Sequence, residues 1–213
     1  MLVLHGYFRS SAAHRVRIAL NLKGIAYGQR FYDLRRGEQC SAGYLLINPQ
    51  GFVPTLEHDG VFITQSLSIL EYLEESFPQP NLLPRDRAGR ARVRSIADIC
   101  AVDTQPLNKA KVLKYLDTAC GVDEEARLRW CRHWLADCFG PMEVRLAAER
   151  ETGRLCHGDQ PTFADICLVP QVLNAKRFGF DLSQFPTLCR VYEMAASLEA
   201  FRNAMPEQQP DAQ

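Results

Sequence analysis

The sequence predicts a small α/β domain over residues 1–80 followed by an all-helical domain over residues 87–213. Two observations carry this. Strand-like and helical segments alternate only in the first third of the chain, and from Arg87 onward every long segment has helical period. Between the two parts, Pro78, Pro80 and Pro84 mark a linker.

Leu2-Val3-Leu4 opens a strand over residues 2–7. Residues 11–23 form a helix, with Val16, Ile18, Ala19 and Leu22 on or near one face and Gly24 at the C′ position that stops it. Residues 27–34 alternate like a strand, 35–39 are polar and loop-like, and 41–46 suit a short helix. Residues 53–57 and 61–63 are short strands joined at Asp59-Gly60, a hairpin signal. Residues 66–76 form a helix with Leu67, Ile69, Leu70, Tyr72 and Leu73 apolar. The order is β-α-β, a short connection, then β-β-α, which makes about four strands with helices on both sides. The later helices are expected at 87–117, 123–149, 162–177 and 187–203, with a disordered tail after Pro206.

Composition narrows the function. Hydrophobic residues make up 46% of the 213, enough for a sizeable core. Twenty-five basic residues balance twenty-five acidic ones, so no global charge draws the chain to nucleic acid or a membrane surface. No apolar run approaches the ~20 residues of a membrane span. The chain begins on a strand-like segment with no targeting pattern, so the expected location is the cytoplasm. The eight cysteines contain no C-x-x-C pair, and most are expected as buried small hydrophobes in a reducing compartment. The five histidines have no metal-ligand spacing. The basic run Arg85, Arg87, Arg90, Arg92 and Arg94 reads as a solvated helix face. Thr162 and Asp165 have capping-box spacing and read as a folding device.

The chemistry concentrates at three places. Ser10 and Ser11 stand at a predicted helix N-terminus, where unpaired backbone N–H groups and the helix dipole favour an anion. Related β-α-β-β-α orders often carry a cysteine pair there, but this chain has Ser10, Ser11, Ala12 and Ala13, so any thiol must arrive with a ligand. A serine hydroxyl there either caps the helix or donates to an incoming thiolate. Val53-Pro54 stands before a strand; a cis bond would leave the Val53 main chain able to pair with an extended peptide, and a trans bond is an ordinary strand start. Gln65-Ser66 precedes the helix over 66–76, with Ser66 as its expected N-cap and a second anion position at the helix start.

These three elements, in this order and followed by a helical domain, resemble a cytosolic glutathione transferase over nearly the whole chain. The segments Tyr7-Phe8-Arg9-Ser10-Ser11, Arg15-Val16-Arg17-Ile18-Ala19-Leu20, Asn48-Pro49-Gln50-Gly51-Phe52-Val53-Pro54-Thr55-Leu56 and Gln65–Glu75 resemble the zeta class, which includes maleylacetoacetate and maleylpyruvate isomerases. The resemblance implies an N-terminal thioredoxin-like domain that binds glutathione and a C-terminal helical domain that binds substrate. It implies that Ser10 is the hydroxyl nearest the glutathione sulfur, with Ser11 beside it. It gives Val53 to the cysteinyl unit, Gln65 and Ser66 to the γ-glutamyl end, Gln39 to the glycyl end and Gln105 to the tripeptide from the helical domain. Arg9 and Arg177 match basic residues that meet substrate carboxylates, and Lys111 stands in the acid-binding region. Many members have cysteine in place of Ala12, and bacterial members often have histidine in place of Gln105 and arginine in place of Lys111.

The implied activity is glutathione-dependent cis–trans isomerisation of a maleyl-type diketo acid, by thiolate addition, bond rotation and elimination. Conjugation or dehalogenation of small electrophiles is the alternative. A non-enzymatic regulator with the same fold is the second alternative. The class also implies a homodimer.

Overall fold

The structure is a computed structural model that describes residues 1–212. Its elements are β1 (Leu2–Gly6), α1 (Ser11–Leu22), β2 (Gly28–Phe31), α2 (Ala42–Ile47), β3 (Thr55–His58), β4 (Val61–Thr64) and α3 (Ser66–Ser76). Then follow α4 (Arg87–Asp98), α5 (Ala110–Cys120), α6 (Glu124–Ala148), α7 (Phe163–Arg177), α8 (Pro186–Ser197) and α9 (Glu199–Ala204). Contacts divide the chain into two units, Met1–Leu82 with the C-terminal segment from Ser197, and Leu83–Ala196.

The first unit contains a four-stranded mixed sheet in the order β2-β1-β3-β4. β1 runs parallel to β2 and antiparallel to β3, with Leu4 facing both Gln29 and Leu56. β3 and β4 form the hairpin expected at Asp59-Gly60, whose φ values of 49° and 84° are the left-handed pair such a tight turn needs. β2 is half the expected length, because the chain turns beyond Tyr32: Arg36 and Glu38 both donate backbone N–H groups to the Asp33 carbonyl. β3 starts at Thr55 and not at Val53, since Pro54 has no N–H to give the ladder.

α1 ends as expected, with Gly24 at φ 64° donating to the Asn21 carbonyl. Its interior holds a surprise. Arg15 and Arg17 are only 1% and 2% exposed. Arg17 donates from Nη2 to the Phe8 carbonyl at 2.9 Å and from Nε to the Ala204 carbonyl at 3.1 Å. Burial pulls its pKa down to about 10, so it stays charged at neutral pH.

The expected helix over 187–203 is two helices, with Leu198 extended between α8 and α9. That break returns the chain to the first unit, where α9 packs on α1 and Asn21 donates to the Ala200 carbonyl at 2.9 Å. The tail after Pro206, expected to be disordered, is anchored. Gln209 is 7% exposed and donates to the carbonyls of Asn203 and Met205, and Asp211 accepts the Phe8 N–H at 2.9 Å. The C-terminal segment, assigned from sequence to the helical domain, thus packs with the N-terminal one.

In the second unit the expected helix over 87–117 is interrupted. A π-type turn spans Ile99–Thr104 and a 3-10 turn spans Gln105–Asn108 before α5 begins. Pro106 has no N–H for an α-helical bond and its ring crowds the preceding turn, so the helix widens and breaks there. α6 and α7 fall within a residue of expectation. Asp165 is fully buried and accepts from the Thr162 N–H, the Thr162 hydroxyl and the Cys156 N–H. Arg92 departs from the solvated face expected of it: it pairs with Glu149 and donates to the Cys156 carbonyl and the Thr152 hydroxyl. Five cysteines are buried, but Cys40 and Cys120 are exposed. Among the described residues, no helix is long and apolar enough to cross a membrane.

Candidate active site

The loop between β1 and α1 carries Arg9 and Ser10. Arg9 is exposed. Ser10 is the N-cap of α1, with its Oγ accepting from the Ala13 N–H at 3.2 Å. The two alternatives for this hydroxyl are therefore compatible. Capping uses an oxygen lone pair, and the O–H hydrogen remains for another acceptor. Ser11 is the first helical residue and is half-buried. The loop is fixed from two sides, by Arg17 on the Phe8 carbonyl and by Asp211 on the Phe8 N–H.

Tyr7 and Phe8 share a buried cluster with Tyr44 and Val53, which ties this loop to the one before β3. The Val53–Pro54 bond is cis. Val53 lies outside the β3 ladder. The residues leading to it are held by Tyr44 Oη and Asn48 Nδ2, which donate to the Phe52 carbonyl at 2.6 and 2.8 Å. Gly51 has φ 62°, and a Cβ there would meet the Gln39 carbonyl at 3.2 Å, so half-buried Gln39 borders the same loop.

The start of α3 differs from expectation. Gln65, not Ser66, is the N-cap, and Ser66 is the first helical residue. Gln65 has φ 67° and ψ 120°, and no side chain caps this end. A non-glycine residue held there costs of order 1–3 kcal/mol, which tertiary packing must impose. The Gln65 amide donates to Gln50 Oε1 at 2.7 Å. Ser66 is buried, and its Oγ accepts from Arg15 Nη1 at 3.2 Å.

The remaining predicted residues belong to the second unit. Gln105 opens the 3-10 turn and is half-buried. Lys111 is exposed near the start of α5. Arg177 closes α7, exposed, with Nη2 donating to Asn174 Oδ1 at 2.6 Å and its guanidinium 5.9 Å from the Phe178 ring centroid.

Sequence reasoning misses two participants, Arg15, which figures there only within a motif, and Asp211, which lies in the tail expected to be disordered; it places Gln65 at the site but gives no sign of that residue's backbone strain. A cleft of about 190 Å³ in the first unit is lined by Tyr7, Asp33, Arg35, Glu38 and Asp211 among others, beside the loop that carries Ser10. Ser10, Val53, Gln65 and Ser66 do not line it. Burial raises the Tyr7 pKa, so its hydroxyl is neutral at pH 7.

Residues 9–76 match the family model described as "Glutathione S-transferase, N-terminal domain". The chain is 43% identical over 213 residues to the probable maleylacetoacetate isomerase of Vibrio cholerae, covering 99% of this chain and 98% of that protein. A solved structure of maleyl pyruvate isomerase, described as a bacterial glutathione S-transferase in the zeta class, matches with a TM-score of 0.97 and 42% identity, covering 99% of this chain and 100% of that one. The chain belongs to the zeta-class glutathione transferase family. A further neighbour, maleylacetoacetate isomerase from Methylobacterium extorquens AM1, was crystallised with malonate and glutathione bound; it matches with a TM-score of 0.96 and 43% identity, over 99% of each chain. The family fold accounts for the mixed sheet and the helical second unit.

Proposed function

We propose that this zeta-class chain catalyses glutathione-dependent cis–trans isomerisation of a maleyl-type diketo acid, maleylacetoacetate or maleylpyruvate. Similarity along the full length of both chains to proteins named for these reactions carries the reading. The first unit fits the tripeptide. It has a capping hydroxyl with a hydrogen to give, a main-chain segment off the ladder and an uncapped helix start.

Bound glutathione would supply a thiolate that adds reversibly to the conjugated double bond and so permits rotation. Ser10 donates to that sulfur and holds it ionised, with Ser11 beside it. Val53 holds the cysteinyl unit through its main chain. Gln65 and Ser66 hold the γ-glutamyl end, Gln39 borders the glycyl end, and Gln105 serves the tripeptide from the second unit. Arg9, Lys111 and Arg177 bind the substrate carboxylates. A guanidinium grips a carboxylate with two hydrogen bonds and fixes the alkene relative to the sulfur.

The test is a direct assay of the purified full chain with each acid, with and without glutathione, following the trans product by NMR. Turnover only with glutathione supports the reading. No conversion of either acid, together with dehalogenation of a small halogenated acid, would replace it with the transferase alternative.

We also infer a homodimer in the cytoplasm. β4 is an edge strand with Val61 59% and Phe62 42% exposed, apolar side chains that suit a second copy. A monomeric mass by light scattering at micromolar concentration would refute the dimer.

A further inference from the structure

Ser10 closes a tight turn. Its N–H donates to the Tyr7 carbonyl at 3.0 Å, which makes Phe8 and Arg9 the two central residues. The N–H and C=O of Phe8 have no partner inside such a turn, and Phe8 is only 6% exposed, so both need protein partners. The carbonyl takes Arg17 Nη2 at 2.9 Å, from the helix that the turn leads into. The N–H donates to Asp211 Oδ2 at 2.9 Å, 203 residues further along the chain. The Phe8 N–H and the Tyr7 carbonyl belong to one planar peptide group. Asp211 thus grips one end of the peptide whose other end holds the Ser10 N–H. A carboxylate on the N–H also polarises the carbonyl and strengthens it as the acceptor for Ser10.

The segment that supplies Asp211 is itself anchored. Gln209 donates to the carbonyls of Asn203 and Met205, and Arg17 donates to that of Ala204. Ala212 packs on the cluster of Tyr7, Phe8, Tyr44 and Val53. Burial pulls the Arg17 pKa down to about 10, and Tyr27 and Asp211 act against that fall, so the strap also steadies the second clamp on Phe8. Helix capping alone tolerates a shifted oxygen, since serine, threonine, asparagine and aspartate all serve. Donation to a reacting sulfur needs the hydroxyl placed to within about 0.5 Å. Resting on the glutathione reading above, we propose that Asp211 is a positioning residue for Ser10: through the Tyr7–Phe8 peptide it sets where the Ser10 hydroxyl meets the glutathione sulfur. It acts through the main chain and not on the reacting atoms.

The experiment titrates the thiolate absorbance of glutathione bound to the full chain. It also measures kcat with whichever maleyl acid the wild type converts. Asp211→Ala should raise the bound-thiol pKa by about one unit, which is about tenfold toward the protonated thiol. Its kcat should fall about 10- to 100-fold, as the misplacement of a reacting group does, with KM for the acid within about twofold of wild type. Asp211→Asn keeps an oxygen for the Phe8 N–H and should restore both the thiol pKa and the rate. A purely structural Asp211 would lower Tm in Asp211→Ala and leave the bound-thiol pKa at the wild-type value. That result overturns this inference alone. Asp211→Asn as impaired as Asp211→Ala also overturns it, by assigning the effect to charge and not to the hydrogen bond. If Asp211→Ala does not fold, the comparison of Asp211→Asn with Asp211→Glu carries the test, because glutamate sets its carboxylate one methylene further out. A raised thiol pKa in Asp211→Glu alone upholds the proposal, and equal values in the two overturn it. If the wild type binds no glutathione, or leaves its thiol at the free value, the proposed function falls as well.

Discussion

Two helix starts of the first unit, those of α1 and α3, solve the same problem in opposite ways. α1 begins with a side-chain cap, Ser10 accepting from Ala13, and the loop before it is held by Arg17 and Asp211. α3 begins at a strained Gln65 with no side-chain cap, and behind it lies a buried arginine whose bonds are unfinished. One end is complete without a ligand and offers a single directed hydrogen. The other is left open, as a charge-binding end must be. The contrast separates the two tasks of a thiol-using site: activating an atom needs a precise donor, whereas anchoring a tripeptide needs an unmet electrostatic demand.

The largest effect should come from the donor itself. Ser10→Ala should lower kcat by about 100- to 1000-fold, about 2.7–4 kcal/mol of barrier, with a much smaller change in glutathione affinity. The same change should cost about 1 kcal/mol of stability through the lost cap. Ser10→Asp separates the roles, because aspartate caps but has no hydrogen to give: stability should return while activity stays lost. Full activity in Ser10→Ala with an inactive Ser11→Ala would move the donor to Ser11.

Next in size, Arg17→Met should destabilise the fold by about 3 kcal/mol, since it strips charged donors from the buried carbonyls of Phe8 and Ala204. Urea unfolding of Arg17→Met beside Arg15→Met tests the comparison directly. Equal losses would mean that the two arginines are equivalent structural groups.

A smaller effect is expected at the open end. Gln65→Gly removes the cost of a positive φ in a non-glycine residue, less the entropy glycine adds to the unfolded chain. The net gain should be about 1 kcal/mol, or roughly 2–4 °C in Tm. Glutathione affinity should nevertheless fall. Gain and loss together would identify strain kept for binding, whereas a Tm decrease would show that the side-chain bond to Gln50 outweighs the strain.

The smallest concerns His14, which precedes Arg15 and Arg17 on α1. Burial, with help from Arg17 and Arg15, holds its pKa well below the usual histidine value. The folded state therefore refuses a proton that the unfolded chain accepts. The sign follows: stability is intact above the unfolded pKa of about 6.5 and is lost as the pH falls below it. At pH 5.5 the loss should be about 1 kcal/mol relative to pH 7. In His14→Phe this part of the acid slope should vanish from paired urea titrations at the two pH values; an identical slope in both proteins would place the titrating group elsewhere.

What could be read from the sequence was local in origin. Ser10 at a helix start follows from the capping preference of a hydroxyl, and Asp59-Gly60 from the left-handed backbone its turn demands. The Thr162–Asp165 box and the end of α1 at Gly24 are of the same kind. Pro106 stands at the break between α4 and α5, inside a stretch of helical period that gives no other sign of it. The motifs around Ser10, Val53 and Gln65 carried the family, because they stay together along the chain.

Only the tertiary structure decided the rest. Nothing local marks Arg15 and Arg17 as buried or Arg92 as paired, since arginines on helices are ordinarily solvated; each bonds to a segment distant in sequence. The strain at Gln65 is imposed by packing and has no glycine to signal it. The return of residues 197–212 to the first unit rests on bonds from Arg17, Asn21 and Phe8, which lie 187, 179 and 203 residues from their partners in sequence. Local propensity and spacing determined the elements, their order and the chemical types at the site. Which charges were left unpaired, and toward which helix end, depended on long-range packing, because the cost of a buried charge is set by whatever surrounds it and not by its neighbours in the chain.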